Sequence, residues 1–477
     1  MSNIKNNSNI KIENFGVINN ADLDISPLTV FIGPNSCGKS FAAKLIHCLS
    51  LTPDEDISEI GLKHVFDSFD NLRENNKTQV FELINEINNY IGTNPTINSE
   101  PLKIPFEKID LIIEEGIIVY FSEIISEMIK NQFEEELDDL INFNKNFFKI
   151  KIRNNELIKK TNEDLVLDVG KVVITSDEKP ENNEKLLMQV QSDGKNFNFN
   201  IESMLLDKNR LGDFSIFLLF YQTIGLNIFR EVLLENSFYI PAERSEIIID
   251  KKLLSRKIQN KSDISKNQSE VLANLLNIDS NKRGIYYDIA CELEKNLSSI
   301  IVDIDETNVF NNVVYENSET HKNIPSRLLS TSIHELSIFI LYLKYVLNEG
   351  DLLIIEEPEA HLHPANQRLL IKYFVKLINK GLKILITTHS DYMISQIDNM
   401  INLSNMSEED LNKLNYTKED ILNFKDVNIY NFKENPDKTY NTEKIIILED
   451  GFVEDNFSKI ANELYDETII IRNSSLR

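Results

Sequence analysis

Residues 33–40 read GPNSCGKS, a glycine-bounded turn that ends in lysine and serine. The fixed positions match G-x-x-x-x-G-K-[ST], with the apolar run LTVFI before them and the helical pattern SFAAKLIHCL after them. Backbone N–H groups in such a turn converge on phosphate oxygens, and glycines let the chain come close to them. Gly33, Pro34, Asn35, Ser36, Cys37, Gly38, Lys39 and Ser40 are therefore the candidate nucleotide-binding residues. Lys39 would reach the β- and γ-phosphates, and the Ser40 hydroxyl would ligate Mg2+.

A phosphate loop of this kind needs a second, acidic strand to hold its metal. DLLIIEEPEAHLHP, residues 351–364, supplies one. Two carboxylates at the mouth of a buried strand are costly to keep charged unless something nearby needs the charge. Glu356 reads as the Mg2+ ligand, directly or through water, and Glu357 as the general base that orients the attacking water. Asp351 sits at the opposite end of the run, as a strand-entry or cap residue. The next apolar run, KILITT, leads to His389. Neighbouring strands would bring that imidazole beside Glu357 and the γ-phosphate, where it could sense the phosphate and help position the water. His361 and His363 have no cysteine or third ligand nearby, so they are not read as a zinc site.

The elements around these segments must deliver them to one place. Residues 8–33 read as a curled sheet, and helix, strand, helix, strand alternate from 326 to 403, the mark of a parallel α/β layer. Between them, residues 107–143 carry apolar side chains at intervals of three to five, as in an amphipathic helix that packs on something. Short β-like runs follow over 147–201 (FFKIKI, DLVLDV, KVVIT, LLMQVQ, FNFNI), interrupted by the exposed turn SDEKPENNEK. Five parts result. They are an N-terminal part with the phosphate loop (1–51), an inserted helical and β arm (52–235), a helical lobe with connecting strands (236–323), a C-terminal part with the acidic strand and His389 (324–403), and an extension (404–477).

Together, GPNSCGKS, EEPEAHLHP and TTHSDYMI resemble the ABC-type ATPase heads of the RecF, SMC and overcoming-lysogenization-defect (OLD) families, and most closely the OLD-like AAA-15 ATPases. The likeness covers about 8–50, YIPAERS at 239–245 and nearly all of 324–403; the arm resembles the family only in layout. It implies an α/β fold, an ABC-type P-loop NTPase head with a parallel sheet core and an N-terminal antiparallel β subdomain, plus the inserted arm. It implies ATP and Mg2+ as cofactors and a homodimer in which each phosphate loop faces the partner's signature segment. Here that segment is RLLSTSIHEL, residues 327–336, with Ser330 as the donor to the opposite γ-phosphate. Ser332 stands where the family usually has glycine, which restricts backbone approach. No glutamine loop stands out, although Gln79 lies within range of its expected position. Arg244 fits a phosphate or interface arginine and a structural ion pair equally well.

OLD nucleases carry a further metal-nuclease domain. KIIILEDGFVEDNF, from Lys444, is similar to its first strand, but the 20 residues after Phe457 are too few for the rest. The acidic cluster Glu449, Asp450, Glu454 and Asp455 is instead expected as a turn and a helix cap. The resemblance thus implies an ATP-hydrolysing switch that controls a protein effector supplied in trans, in anti-phage defence or genome maintenance. Two alternatives stay open: a slow-hydrolysing, nucleotide-dependent scaffold, and a DNA-binding repair ATPase like RecF or SMC heads.

Composition bears on the last of these. A formal net charge of −26 over 477 residues opposes a whole-surface grip on DNA, which rests on Lys and Arg neutralising phosphates. The basic stretch from Lys251 to Lys261 could grip locally, and reads first as a solvated surface. No apolar run approaches the roughly 18 residues of a membrane span. Three cysteines, Cys37, Cys48 and Cys291, lack metal-like spacing, so free thiols in a reducing cytoplasm are expected.

Overall fold

A computed structural model describes residues 8–51, 102–104, 127–135, 137–140, 149–154, 171–176, 185–192, 195–202, 236–244, 265–305, 312–453 and 455–474. Gln79, the run DLVLDV and the basic stretch 251–261 lie outside these residues. In chain order the strands are β1 (Ser8–Phe15), β2 (Ile18–Asp24), β3 (Leu28–Ile32), β4 (Leu102–Ile104), β5 (Lys149–Asn154), β6 (Lys171–Ser176), β7 (Lys185–Ser192), β8 (Lys195–Glu202), β9 (Ser237–Ile240), β10 (Ile300–Asp305), β11 (Asn312–Asn317), β12 (Leu352–Glu356), β13 (Lys383–Thr387), β14 (Val427–Glu434) and β15 (Tyr440–Lys444). The α-helices are α1 (Lys39–Cys48), α2 (Lys266–Leu276), α3 (Tyr287–Leu297), α4 (Thr331–Tyr345), α5 (Pro364–Asn379), α6 (Asp391–Asn402), α7 (Glu408–Lys413) and α8 (Asp455–Ser474).

The chain divides into two units: Met1–Ser8 with Leu51–Asn131 and Lys151–Leu234, and Asn9–Ser50 with Gln132–Ile150 and Glu235–Arg477. In the first unit β4, β6, β7 and β8 form an antiparallel sheet in that order. Of the stretch SDEKPENNEK, residues 177–184 lie outside the described residues.

The second unit holds a sheet in the order β1-β2-β15-β14-β3-β13-β12-β9. Five neighbours, β14, β3, β13, β12 and β9, run parallel. Their sequences explain why. LTVFI and LLIIE are buried at every position, as strands covered by helices on both faces must be. The β1–β2 hairpin is antiparallel. The N-terminal hairpin and the parallel core thus belong to one continuous α/β sheet.

Two segments fall elsewhere than their sequence suggested. Residues 132–150, read as part of the arm, belong to the second unit. Leu140 accepts the Gly16 N–H at 2.7 Å, and Phe133 packs on Phe15 and Phe41. The segment 404–477, read as an extension, supplies β14 and β15 to the main sheet. β14 pairs with β3, the strand that carries the phosphate loop, from Val427↔Leu28 to Asn431↔Ile32. Of the acidic cluster, Glu454 lies outside the described residues, and Glu449 and Asp450 form a turn. Leu448 and Gly451 bridge across Glu449 and Asp450, and α8 begins at Asp455.

Helix α4 is apolar nearly all round and buried from His334 to Lys344, so it is a central helix rather than a surface one. It carries one buried cation. Lys344 Nζ pairs with Glu294 Oε1 at 2.9 Å and donates to the Val302 carbonyl at 2.7 Å, with both side chains at most 3% exposed. The pair ties α4 to α3 and β10. Breaking it from one side leaves a buried charge without its partner, at a cost of about 3–5 kcal/mol. Lys344→Ala is therefore expected to lower stability by about that amount in chemical denaturation. Lys344→Met combined with Glu294→Leu is expected to recover only part of the loss, because the buried Val302 N–H and carbonyl lose their side-chain partners as well.

Candidate active site

The carboxyl ends of three adjacent parallel strands, β3, β13 and β12, lie at one edge of the sheet and carry the three segments singled out by their chemistry. Ligands of open α/β sheets bind at such ends. Residues 33–38 turn from β3 into α1. Two glycines make the turn feasible. Gly33 has φ of 141°, and a Cβ there would meet the Phe432 carbonyl oxygen at 2.8 Å. Gly38 has φ of 98°, and a Cβ would strike Ile18 Cγ1 at 2.7 Å. Pro34, Asn35, Ser36 and Ser40 are exposed, whereas Cys37 and Lys39 are buried. Cys37 can therefore offer a ligand its backbone rather than its thiol, which burial pushes up from the usual thiol range. The Lys39 ammonium donates to the loop's own carbonyls, Pro34 at 2.7 Å and Gly33 at 3.1 Å. Burial pulls its pKa down, against the opposing pull of Cys37, Glu357 and Glu359.

Glu356 ends β12, opposite Thr387 of β13. Its Oε2 accepts the Ala242 N–H at 3.3 Å. Its Oε1 is buried and takes no hydrogen bond among the described residues. A buried carboxylate oxygen without a donor suits a divalent cation, so Glu356 and the exposed Ser40 hydroxyl fit Mg2+. Bound there, Mg2+ would neutralise charge on the phosphates. Tyr239 on β9 was not picked out from sequence. Burial, with the Glu356 carboxylate beside it, pushes its hydroxyl well above the ordinary range, so it stays protonated.

Glu357 adopts φ of 45°, left-handed for a residue with a side chain, and such strain persists only where the surroundings impose it. Its N–H donates to the Thr387 carbonyl at 2.9 Å, and its own carbonyl accepts from Arg244 Nη2 at 3.2 Å. Arg244 Nη1 donates to the Glu356 carbonyl at 2.7 Å and to Pro241 at 3.2 Å. Its Nε lies 2.9 Å from the Glu335 carboxylate. At 2% exposure the guanidinium is spent on the protein interior, which decides for the structural role of Arg244.

His389 stands just past β13, with Nε2 3.9 Å from Glu357 Oε1. Burial and the Lys39 charge pull its pKa below 6.5, against the pull of Glu357. Glu359, quoted within EEPEA but given no role there, joins the two loops. Its Oε1 accepts from Thr388 Oγ1 and from the His389 N–H, both at 2.7 Å. Ser330 is the N-cap of α4, yet its hydroxyl does not cap the helix; it lies 2.8 Å from Ser332 Oγ on an exposed surface. Asp351 takes the Asn348 N–H at 2.7 Å, as a strand-entry residue would. His363 caps α5 by accepting the Ala365 N–H at 3.2 Å. No group of three His, Cys, Asp or Glu among the described residues could hold a metal.

The candidate nucleotide loop, the acidic strand and the histidine therefore meet within one unit. The profile of the AAA_15 family, described as an AAA ATPase domain, matches residues 8–394. The chain belongs to this family of ATPases. No curated protein matches it. Among solved structures, an SMC head bound to the C-winged helix domain of ScpA aligns with a TM-score of 0.38 at 10% identity, over 92% of this chain and 98% of that one. An SMC head domain from Thermotoga maritima gives 0.32 at 8%, over 93% and 100%. An SMC head with an extended coiled coil, bound to the C-terminal domain of ScpA derived from Pyrococcus furiosus, gives 0.36 at 9%, over 96% and 99%.

An imidazole held below the ordinary histidine value is neutral at neutral pH and gains a proton only in more acid solution. The acid limb of kcat/KM for ATP, which reports the free enzyme, is therefore expected below pH 6.5. A limb above that value which disappears in His389→Gln would contradict this site geometry.

Proposed function

We propose that the chain is an ATP-hydrolysing switch in which Mg-ATP closes two copies head to tail and hydrolysis releases them. The observation that carries this reading is the state of the signature segment. Ser330 sits exposed at the N-terminus of a 15-residue helix, with its hydroxyl bonded only to Ser332 among the described residues. Leu328 beside it is 70% exposed. A helix N-terminus with free N–H groups and a hydroxyl can receive a phosphate, and a second copy would bring one.

In each composite site Lys39 and the loop N–H groups bind the phosphates, and Ser40 and Glu356 would hold the Mg2+. Glu357 takes the proton of the attacking water as it adds to the γ-phosphorus in line with the leaving ADP. Neutral His389 hydrogen-bonds that water or the γ-phosphate. Ser330 of the second copy completes the charge stabilisation. The state of the dimer would then control a protein effector in trans, in anti-phage defence or genome maintenance. No helix among the described residues is long and apolar enough to cross a membrane.

A second reading, a nucleotide-dependent scaffold that turns over too slowly to matter, draws support from Ser332. Its side chain occupies the place of the family's glycine and engages the Ser330 hydroxyl. Hydrolysis by the wild type separates the two. Lys39→Ala is expected to abolish ATP binding. Glu357→Gln is expected to keep binding and lose about 100-fold or more in kcat. Mixing Lys39→Ala with Ser330→Arg tests the composite site itself. Each variant alone is dead, whereas the mixed dimer keeps one intact site and regains hydrolysis. A mixture as inactive as its components would refute sharing between copies.

A further inference from the structure

We infer that Glu359 is a positioning residue that holds His389 against Glu357, and that ATP hydrolysis, but not ATP binding, depends on it. The inference rests on the reading of Glu357 and His389 as the hydrolytic pair. Among the described residues no hydrogen bond holds the His389 ring; its approach to Glu357 is 3.9 Å. Its place is therefore set by the backbone of the turn between β13 and α6, and Glu359 anchors that turn. One carboxylate oxygen, Oε1, takes the His389 N–H and the Thr388 hydroxyl, both at 2.7 Å. Thr388 is fully buried and passes the constraint on, because its Oγ1 accepts the Ser390 N–H at 3.0 Å. Ser390 in turn caps α6 through the Met393 N–H at 3.2 Å. From Glu359 to α6 the turn is one connected chain of hydrogen bonds.

Glu359 follows Glu357 by two residues, so the segment that carries the base also carries the anchor of the histidine. A shift in one loop moves the other with it. The carboxylate also lies within electrostatic reach of Lys39 and Arg244. A role through charge is the rival explanation, and glutamine tells the two apart: it keeps the accepting oxygen and discards the charge.

The test is single-turnover hydrolysis and equilibrium binding of Mg-ATP on the full chain. Glu359→Ala is expected to slow hydrolysis roughly 10- to 100-fold, with affinity within about threefold of wild type. Glu359→Gln is expected to restore most of the rate. Glu359→Ala/His389→Ala should be no slower than His389→Ala alone, since the anchor acts through the ring. Thr388→Val removes one donor to Glu359 and the acceptor of the Ser390 N–H but leaves the Glu359–His389 N–H bond in place, so it should show a smaller loss in rate at unchanged affinity even if the alanine variant does not fold. Glutamine as slow as alanine would establish charge instead of anchoring. Losses that multiply in the double variant, or a Thr388→Val chain with the wild-type rate, would overturn the inference. A wild-type chain that binds ATP without hydrolysing it would instead remove the hydrolytic reading itself, and this one with it.

Discussion

The site depends on one buried guanidinium. Arg244, in the turn that follows the strand at the end of the parallel sheet, reaches the carbonyls of Glu356 and Glu357 and pairs with Glu335 on α4. A guanidinium presents five donors in a planar fork and cannot shed its charge. Burying it is costly unless carbonyls and a carboxylate receive those donors. Here they do, and the receiving carbonyls belong to Glu356 and Glu357, the two residues proposed as metal ligand and base. The left-handed backbone of Glu357 is held from both sides, by Arg244 on its carbonyl and Thr387 on its N–H. The other end of the pairing matters as much. Glu335 lies one turn into the helix that begins at Ser330, so the acidic strand and the signature helix are fastened to the same side chain.

Other contacts fix the helices around this centre. His47, in the last turn of α1, lies 2.6 Å from Ser237 Oγ on β9 and 2.8 Å from Glu270 on α2. The helix that starts at the phosphate loop is therefore tied to the strand that leads to Arg244. Phe31 on β3 stacks edge-on against Phe432 of β14, whose carbonyl limits the space at Gly33. A segment more than 380 residues downstream thus shapes the phosphate loop.

Much of this was legible in the residues themselves. The apolar runs LTVFI, LLIIE and KILIT read as buried parallel strands, and the residues at their ends read as loop, base and histidine. Such signals are local and strong, because a buried strand must be apolar and its charged terminus must have a purpose. Four features were not legible. YNFKE in β14 alternates too little to reveal a place beside β3, which only the pairing register shows. Phe133 and Leu140 carry the same apolar signal whether they pack in an arm or against β1 and α1. Glu359 looked like one more acid in an acidic segment, and its place is set by donors 29 and 30 residues away. Arg244 could be read either way until its burial was known.

The proposed switch stands on the pairing of two of these chains across composite sites by Mg-ATP. The most direct measurement is native mass spectrometry of Glu357→Gln, which is expected to stop the cycle before hydrolysis, with ATP and Mg2+ and again without nucleotide. A species of two chains with two bound ATP molecules, absent without nucleotide, is expected. A single chain carrying one ATP as the only loaded species would contradict that pairing.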